Sequence, residues 1–281
     1  MTATLTALAR SSGTFAMVAM DQRESLRTML RDHGHEPTDE RVRRFKLAVA
    51  TELAPHASGF LIDRDHIQAV APHVDRGLVL AVDRLVQEPG GMVEDTSLDD
   101  DVEPVPGVVA LKLLVIWRDD DRRAERVALS RRFVELAARQ GVLSVLESVV
   151  RVPEAAREDA IVEAARALGA VRPSLYKCQV PLSGRGDPAE LTRRARELDA
   201  SLPVPWVVLS QGVEPEDFPR AVEACCRGGA SGFLAGRAVW TATLAAEDPT
   251  ELLRNDSVPR LQELAAIVDR HGTPWPRKGT A

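Results

Sequence analysis

Val108-Val109-Ala110-Leu111-Lys112-Leu113-Leu114-Val115-Ile116-Trp117 is an apolar run broken by a single charged residue, Lys112. With no polar residue alternating along it, the run reads as a strand covered on both faces, the pattern that parallel sheets require. Seven further runs share this character: residues 15–21, 59–63, 77–83, 142–150, 175–180, 206–212 and 232–237. Helical periodicity occupies residues 24–33, 39–53, 121–140, 154–168, 188–199 and 215–227 between them. Alternation of this kind builds βα units. Eight units fit a closed (β/α)8 TIM barrel of the α/β class, for which ~250 residues is typical. Residues 1–281 are therefore expected to form one such domain, with a doubly wound open sheet as the alternative. Two stretches depart from the pattern. Only residues 65–74 separate the second and third runs. Residues 85–107 carry Pro89, Gly90, Gly91, Pro104, Pro106 and Asp99-Asp100-Asp101, and are expected to form a long loop, either a mobile flap over the barrel mouth or a solvated segment. Residues 2–10 are expected to form a helix that plugs the barrel bottom.

Composition narrows the possible partners. A net charge of −6 provides no broad basic surface for nucleic acid. Aromatic residues at 4% are too few for base-stacking platforms. Cys178, Cys225 and Cys226 make an odd set with two adjacent members, which is no disulfide framework and points to a reducing compartment. No apolar run approaches the ~18 residues of a membrane span, and no signal-peptide pattern opens the chain. A cytoplasmic homo-oligomer acting on a small molecule is expected, with neither nucleic acid nor membrane as a partner.

The lysines carry the chemical signal. Four lysines stand against thirty-two arginines, and two of the four, Lys112 and Lys177, lie inside apolar strands. A guanidinium keeps its proton in a protein, whereas a desolvated amine can lose its own and attack a carbonyl. Snorkelling, or pairing with buried carboxylates, is the structural alternative. In a (β/α)8 barrel, chemistry sits at the C-terminal strand ends. There the chain places Asp21, Asp63, Asp83, Lys112, Glu147, Lys177, Ser210-Gln211-Gly212 and Gly236-Arg237. Side chains alternate along a strand, so Lys177 and Gln179 share one face, as do Val145, Glu147 and Val149. A Glu147 carboxylate beside Lys177 suits Schiff-base formation, and Lys112 would add a second cation. Glycine-bearing turns after the seventh and eighth strands, with Arg237, suit a phosphate. Arg23, Arg64, Arg84, Arg118 and Arg151 also follow strands and suggest an anionic substrate. His33, His35, His56, His66, His73 and His271 fall in helices and loops and form no metal-ligand pattern.

Blocks spanning the chain resemble the class I ketose-phosphate aldolases of the tagatose 1,6-bisphosphate aldolase family. They are Met20-Asp21-Gln22-Arg23-Glu24-Ser25-Leu26, Ala110 to Arg118, Leu175-Tyr176-Lys177, Leu209-Ser210-Gln211-Gly212-Val213, Phe218-Pro219-Arg220-Ala221-Val222 and Gly229 to Trp240. Trp117-Arg118 and Phe218-Pro219-Arg220 resemble the sulfofructose-phosphate aldolase branch. The resemblance implies a Schiff base on Lys177, acid–base chemistry by Glu147, support from Lys112, and substrate hydroxyl contact by Asp21. It implies substrate binding by Gln22, Arg23, Gln179, Ser210, Gly212, Gly236 and Arg237, with no metal and no cofactor. The implied reaction is cleavage of 6-deoxy-6-sulfofructose 1-phosphate to dihydroxyacetone phosphate and sulfolactaldehyde. The alternatives are tagatose 1,6-bisphosphate cleavage and a non-catalytic sugar-phosphate sensor. Two positions depart from the family pattern: Ser148 stands where proline is usual, and Gln179 where glutamate is usual.

Overall fold

The computed structural model describes residues 3–277. Ten strands occur among them: β1 (Phe15–Met20), β2 (Gly59–Ile62), β3 (Leu78–Ala81), β4 (Asp83–Val86), β5 (Asp95–Leu98), β6 (Val108–Arg118), β7 (Leu143–Arg151), β8 (Leu175–Cys178), β9 (Trp206–Val208) and β10 (Gly232–Ala235). Eight of them close into a parallel barrel in the order β1-β10-β9-β8-β7-β6-β3-β2. Each of the eight runs read as a buried strand supplies one barrel strand. The helices are α1 (Glu24–Asp32), α2 (Asp39–Leu53), α3 (Ile67–Val70), α4 (Arg123–Arg139), α5 (Arg157–Gly169), α6 (Pro188–Ala200), α7 (Phe218–Arg227), α8 (Arg237–Trp240), α9 (Thr250–Leu252) and α10 (Val258–His271). Local chemistry sets their starts. Thr38 accepts from the Arg41 N–H at 3.2 Å before α2, and Asp187 accepts from Ala189 N at 3.2 Å, with Pro188 opening α6. No helix among the described residues is long and apolar enough to cross a membrane.

Strand alternation divides the core in two. Phe15, Met17 and Ala19 of β1 join Leu61, Val79, Ala110, Val145, Leu175, Val207 and Leu234 inside the barrel. Their neighbours Ala16, Val18 and Met20 face the helices. Leu5, Leu8 and Ala9 complete the inner cluster from below, so the N-terminal plug is present. It is a single 3-10 turn (Leu5–Ala7) rather than the helix expected over residues 2–10, of which residue 2 lies outside the described residues. The expected loop over residues 85–107 is also corrected. It contains most of an antiparallel hairpin, with Asp83 opposite Leu98 and Val86 opposite Asp95. Thr96 Oγ1 donates to Leu114 O at 2.6 Å, and Arg118 and Arg122 bind Glu94 and Asp95. The hairpin is thus fastened to β6 and to the start of α4. Its alternation escaped notice because its strands are short and polar. Helix α10 was likewise absent from the sequence reading; it packs against α7 and β1.

Barrel closure depends on the β1–β10 seam, where Phe15 pairs with Gly232. Gly232 has φ +142°, and an added Cβ would lie 1.9 Å from Phe15 O. Gly232→Ala is expected to destabilise the protein by at least about 2 kcal/mol, through backbone strain and overpacking. An unchanged urea midpoint for the variant would contradict the closed seam.

Candidate active site

Register places the charged residues before any side chain is considered. Leu114 of β6 lies opposite Glu147 of β7, and Glu147 lies opposite Lys177 of β8. On β6, Lys112 sits two residues before Leu114 and on the same inward face. The Lys177 ammonium donates to Glu147 Oε2 at 3.0 Å. Lys112 Nζ lies 2.9 Å from the same oxygen. It also donates to Asp21 Oδ2 at 2.9 Å and to Asp83 Oδ2 at 3.1 Å. Arg23 closes the cluster: its guanidinium donates to Asp83 Oδ1 and to Asp83 O, both at 2.9 Å. Lys112 and Lys177 are only 2% and 3% exposed, so these contacts lie in a region where unpaired charge would be costly.

Burial opposes ionisation of Asp21, but Lys112, Lys177 and Arg23 outweigh it and hold the carboxyl well below the usual range. Burial also opposes ionisation of Glu147, where Lys112 and Lys177 prevail against burial and the nearby Asp21. For Lys112, burial favours loss of the proton, yet Asp21, Asp83 and Glu147 keep its pKa well above the ordinary lysine value. Lys112 is therefore a fixed cation at neutral pH.

The backbone around Asp21 is held from outside the barrel. Lys46 Nζ donates to Met20 O at 3.2 Å, and Trp240 Nε1 donates to Ala19 O at 3.0 Å. Lys46 is a third buried lysine, which the reading of strands alone passed over because it lies on amphipathic α2. It pairs with Asp63, whose other oxygen faces His66 Nδ1 at 2.7 Å. Asp63 is thereby turned from the barrel mouth toward α2 and leaves the group of strand-end residues expected there.

The cluster forms the floor of a cavity of about 260 Å³. Asp21, Gln22, Arg23, Lys112, Glu147, Lys177, Ser210, Gly236 and Arg237 all line it, together with hairpin residues such as Gln87 and Met92. The Gln22 Oε1 is buried without a partner. At Gly236 the chain passes so close to β1 that an added Cβ would lie 2.4 Å from Ala19 O. Two expected site residues are not brought in. Gly212 is exposed beyond the lining, and Gln179, one residue past the end of β8, accepts from Val150 N at 2.8 Å through Oε1. Strand alternation placed Gln179 beside Lys177, but β8 ends at Cys178 and the alternation ends with it. Asp83, expected among the strand-end residues, and Arg151, expected among the rim arginines, also line the cavity, although neither was given a catalytic or substrate-binding role. Arg151 was legible: it continues the Val145–Glu147–Val149 face of β7 by two residues. Cys178, Cys225 and Cys226 are free and buried. Among the described residues, no group of three or more His, Cys, Asp or Glu side chains is arranged to hold a metal ion.

Comparison with known proteins identifies the family. The model of the DeoC/LacD family aldolases matches residues 15–242. The chain is 28% identical over 331 aligned positions to a Streptococcus pyogenes serotype M3 protein named tagatose 1,6-diphosphate aldolase 2, covering 99% of this chain and 100% of that one. It is 24% identical to the tagatose 1,6-diphosphate aldolase of Staphylococcus aureus (strain JH9), covering 98% and 97%. The fold resembles the fructose-bisphosphate aldolase of Plasmodium falciparum, with TM-score 0.68 at 13% identity over 95% of this chain and 93% of that one. It also resembles the fructose-bisphosphate aldolase of Slackia heliotrinireducens, with TM-score 0.66 at 17% identity over 95% and 88%.

Removing the shared cation should expose the charge balance of the floor. Lys112→Met strands carboxylates in a buried site and is expected to cost about 3–5 kcal/mol of stability at pH 7. The pH dependence has a definite sign. Asp21 and Glu147 have depressed folded pKa values, so their stabilisation is complete above the unfolded carboxylate range near ~4 and is lost as pH falls through the folded values. The wild-type advantage over Lys112→Met should therefore shrink below about pH 4 in denaturant titrations. A pH-independent difference would contradict the pairing.

Proposed function

The chain belongs to the DeoC/LacD aldolase family and is an aldolase; from that premise we propose a class I mechanism in which Lys177 forms a Schiff base with a ketose 1-phosphate. The observation that carries this reading is the Lys177–Glu147 contact at 3.0 Å, with Lys112 on the same carboxylate oxygen. The proton that Lys177 must lose is the one the next step needs. Transfer to Glu147 frees the amine to attack the C2 carbonyl. Protonated Glu147 then gives its proton to the carbinolamine hydroxyl, which leaves as water. The iminium forms and Glu147 returns to its carboxylate. The same carboxylate takes the C4 hydroxyl proton, the C3–C4 bond breaks, and the electron pair moves into the iminium to give the enamine of dihydroxyacetone phosphate. Lys112 remains charged throughout and keeps Asp21 ionised beside the substrate hydroxyls. Gln22 offers its unpartnered Oε1 as a hydroxyl acceptor. Arg237 and the turns carrying Ser210 and Gly236 are assigned to the phosphate.

The preferred substrate is 6-deoxy-6-sulfofructose 1-phosphate, with sulfolactaldehyde as the second product. Charge supports this choice. Five cations (Arg23, Lys112, Arg151, Lys177 and Arg237) and three carboxylates (Asp21, Asp83 and Glu147) line the cavity, a surplus of 5 − 3 = 2 positive charges. A phosphate carries roughly −1.5 to −2 at neutral pH, so a phosphate with a singly charged sulfonate matches that surplus more closely than two phosphates do. The motif residues of the sulfosugar branch add nothing to this. Trp117 packs beneath Arg123, Arg118 holds Glu94, and Arg220 caps the carbonyls of Gly184 and Gly186. Tagatose 1,6-bisphosphate is the second reading, favoured by the names of the relatives above.

Two kinetic experiments test the proposal. Glu147→Gln is expected to lower kcat by about 10²–10⁴-fold with a much smaller change in KM, as for a general acid–base group. A near-normal kcat would reduce Glu147 to a counter-ion. In parallel assays, kcat/KM for 6-deoxy-6-sulfofructose 1-phosphate should exceed that for tagatose or fructose 1,6-bisphosphate by at least ~10-fold. Equal or better cleavage of a bisphosphate would overturn the sulfosugar assignment while leaving the aldolase reading intact.

A further inference from the structure

The floor of the cavity balances its own charge, with Asp21, Asp83 and Glu147 set against Arg23, Lys112 and Lys177. Arg151 and Arg237 on the walls are then in excess. Among the described residues neither guanidinium has an ion pair or a side-chain acceptor, and Arg151 Nε is buried without a partner. Neighbouring arginines behave otherwise: Arg23, Arg118 and Arg122 are all paired with carboxylates. Burial disfavours the charge on Arg237, Arg151 adds repulsion, and Glu147 and Asp21 only partly offset both. Burial and Arg118 act likewise on Arg151 against Glu94. Two half-buried cations without carboxylate partners in one cavity mark a place where anionic ligand groups bind.

The strands separate the two. Arg151 ends β7 and Arg237 follows β10, with β8 and β9 between them in the barrel. Lys177, on β8, lies between these two walls. A ketose joined at C2 to Lys177 directs its C1 phosphate one way and its C3–C6 chain the other. One anionic group would leave one guanidinium unmatched, whereas an anion at each end satisfies both.

We infer that Arg151 is the specificity-determining residue for a second anionic group, carried at the end of the ketose that departs as the aldehyde, while Arg237 keeps the phosphate. This rests on the aldolase reading of the site, but its test does not require turnover. Hexitol 1-phosphate and hexitol 1,6-bisphosphate lack a carbonyl and cannot react with Lys177, so calorimetry with the full chain reads binding alone. Wild type should bind the bisphosphate more tightly. Arg151→Gln should weaken bisphosphate binding by about 10–100-fold, as for a charge-assisted hydrogen bond, and hexitol 1-phosphate binding by less than about 2-fold. The unchanged monophosphate affinity also reports an intact fold, and Arg151→Lys should recover part of the loss. Equal losses for both ligands would assign Arg151 to the shared phosphate or to the fold and overturn the inference. No loss for the bisphosphate, or no preference for it in wild type, would overturn it too. Failure of the Schiff-base chemistry at Lys177 would leave these binding results unchanged, so the two proposals fail separately.

Discussion

One carboxylate oxygen, Glu147 Oε2, lies 2.9 Å from Lys112 Nζ and 3.0 Å from Lys177 Nζ inside the barrel. Much of the site is arranged so that this shared contact can exist. Two nearly buried ammonium groups could not sit so close without an anion between them, since an unpaired buried charge costs several kcal/mol. Lys112 in turn requires Asp21 and Asp83, Asp83 is held by Arg23, and the carbonyls before Asp21 are held by Lys46 and Trp240. The register of β6, β7 and β8 sets Glu147 opposite Lys177 and Lys112 opposite Val145, two residues before Glu147 on the same inward face. The N-terminal plug and the β1–β10 seam keep the barrel closed beneath them.

The barrel was legible because its strands are apolar on both faces, and Lys112 and Lys177 stood out because apolar neighbours surround them. Glu147 followed from strand alternation, which the structure reproduces from Leu143 to Arg151. Legibility ended where regular structure ended. Gln179 lies one residue beyond β8 and turns to the Val150 amide, so the face it shares with Lys177 in an ideal strand does not exist here. Asp63 read as a strand-end carboxylate, but its partners come from α2 and from His66, and no local pattern announces a lysine that crosses from a helix. The hairpin was hidden by its own composition: prolines and glycines around it read as loop, while its cross-strand pairs and arginine anchors are long-range features.

Both departures from the family pattern have structural partners. Ser148 Oγ accepts the buried Tyr176 hydroxyl at 2.7 Å, a group that would be costly to leave unpaired. Gln179 Oε1 satisfies the Val150 N–H next to Val149 and Arg151. An amide does this without adding a negative charge near the lysines. The two substitutions thus bear on how β7 and β8 are held together, while the cavity walls carry Arg151 and Arg237. The hairpin tip adds Gln87 and Met92 to that cavity, so its anchors to β6 and α4 also shape the space available to the substrate.

The most direct measurement is the mass of the chain after incubation with dihydroxyacetone phosphate and borohydride. Reduction of an iminium should add one reduced triose phosphate, recovered on the tryptic peptide that contains Lys177 and absent from Lys177→Arg. A label on Lys112 alone, or none under conditions that support turnover, would contradict a Schiff base at Lys177.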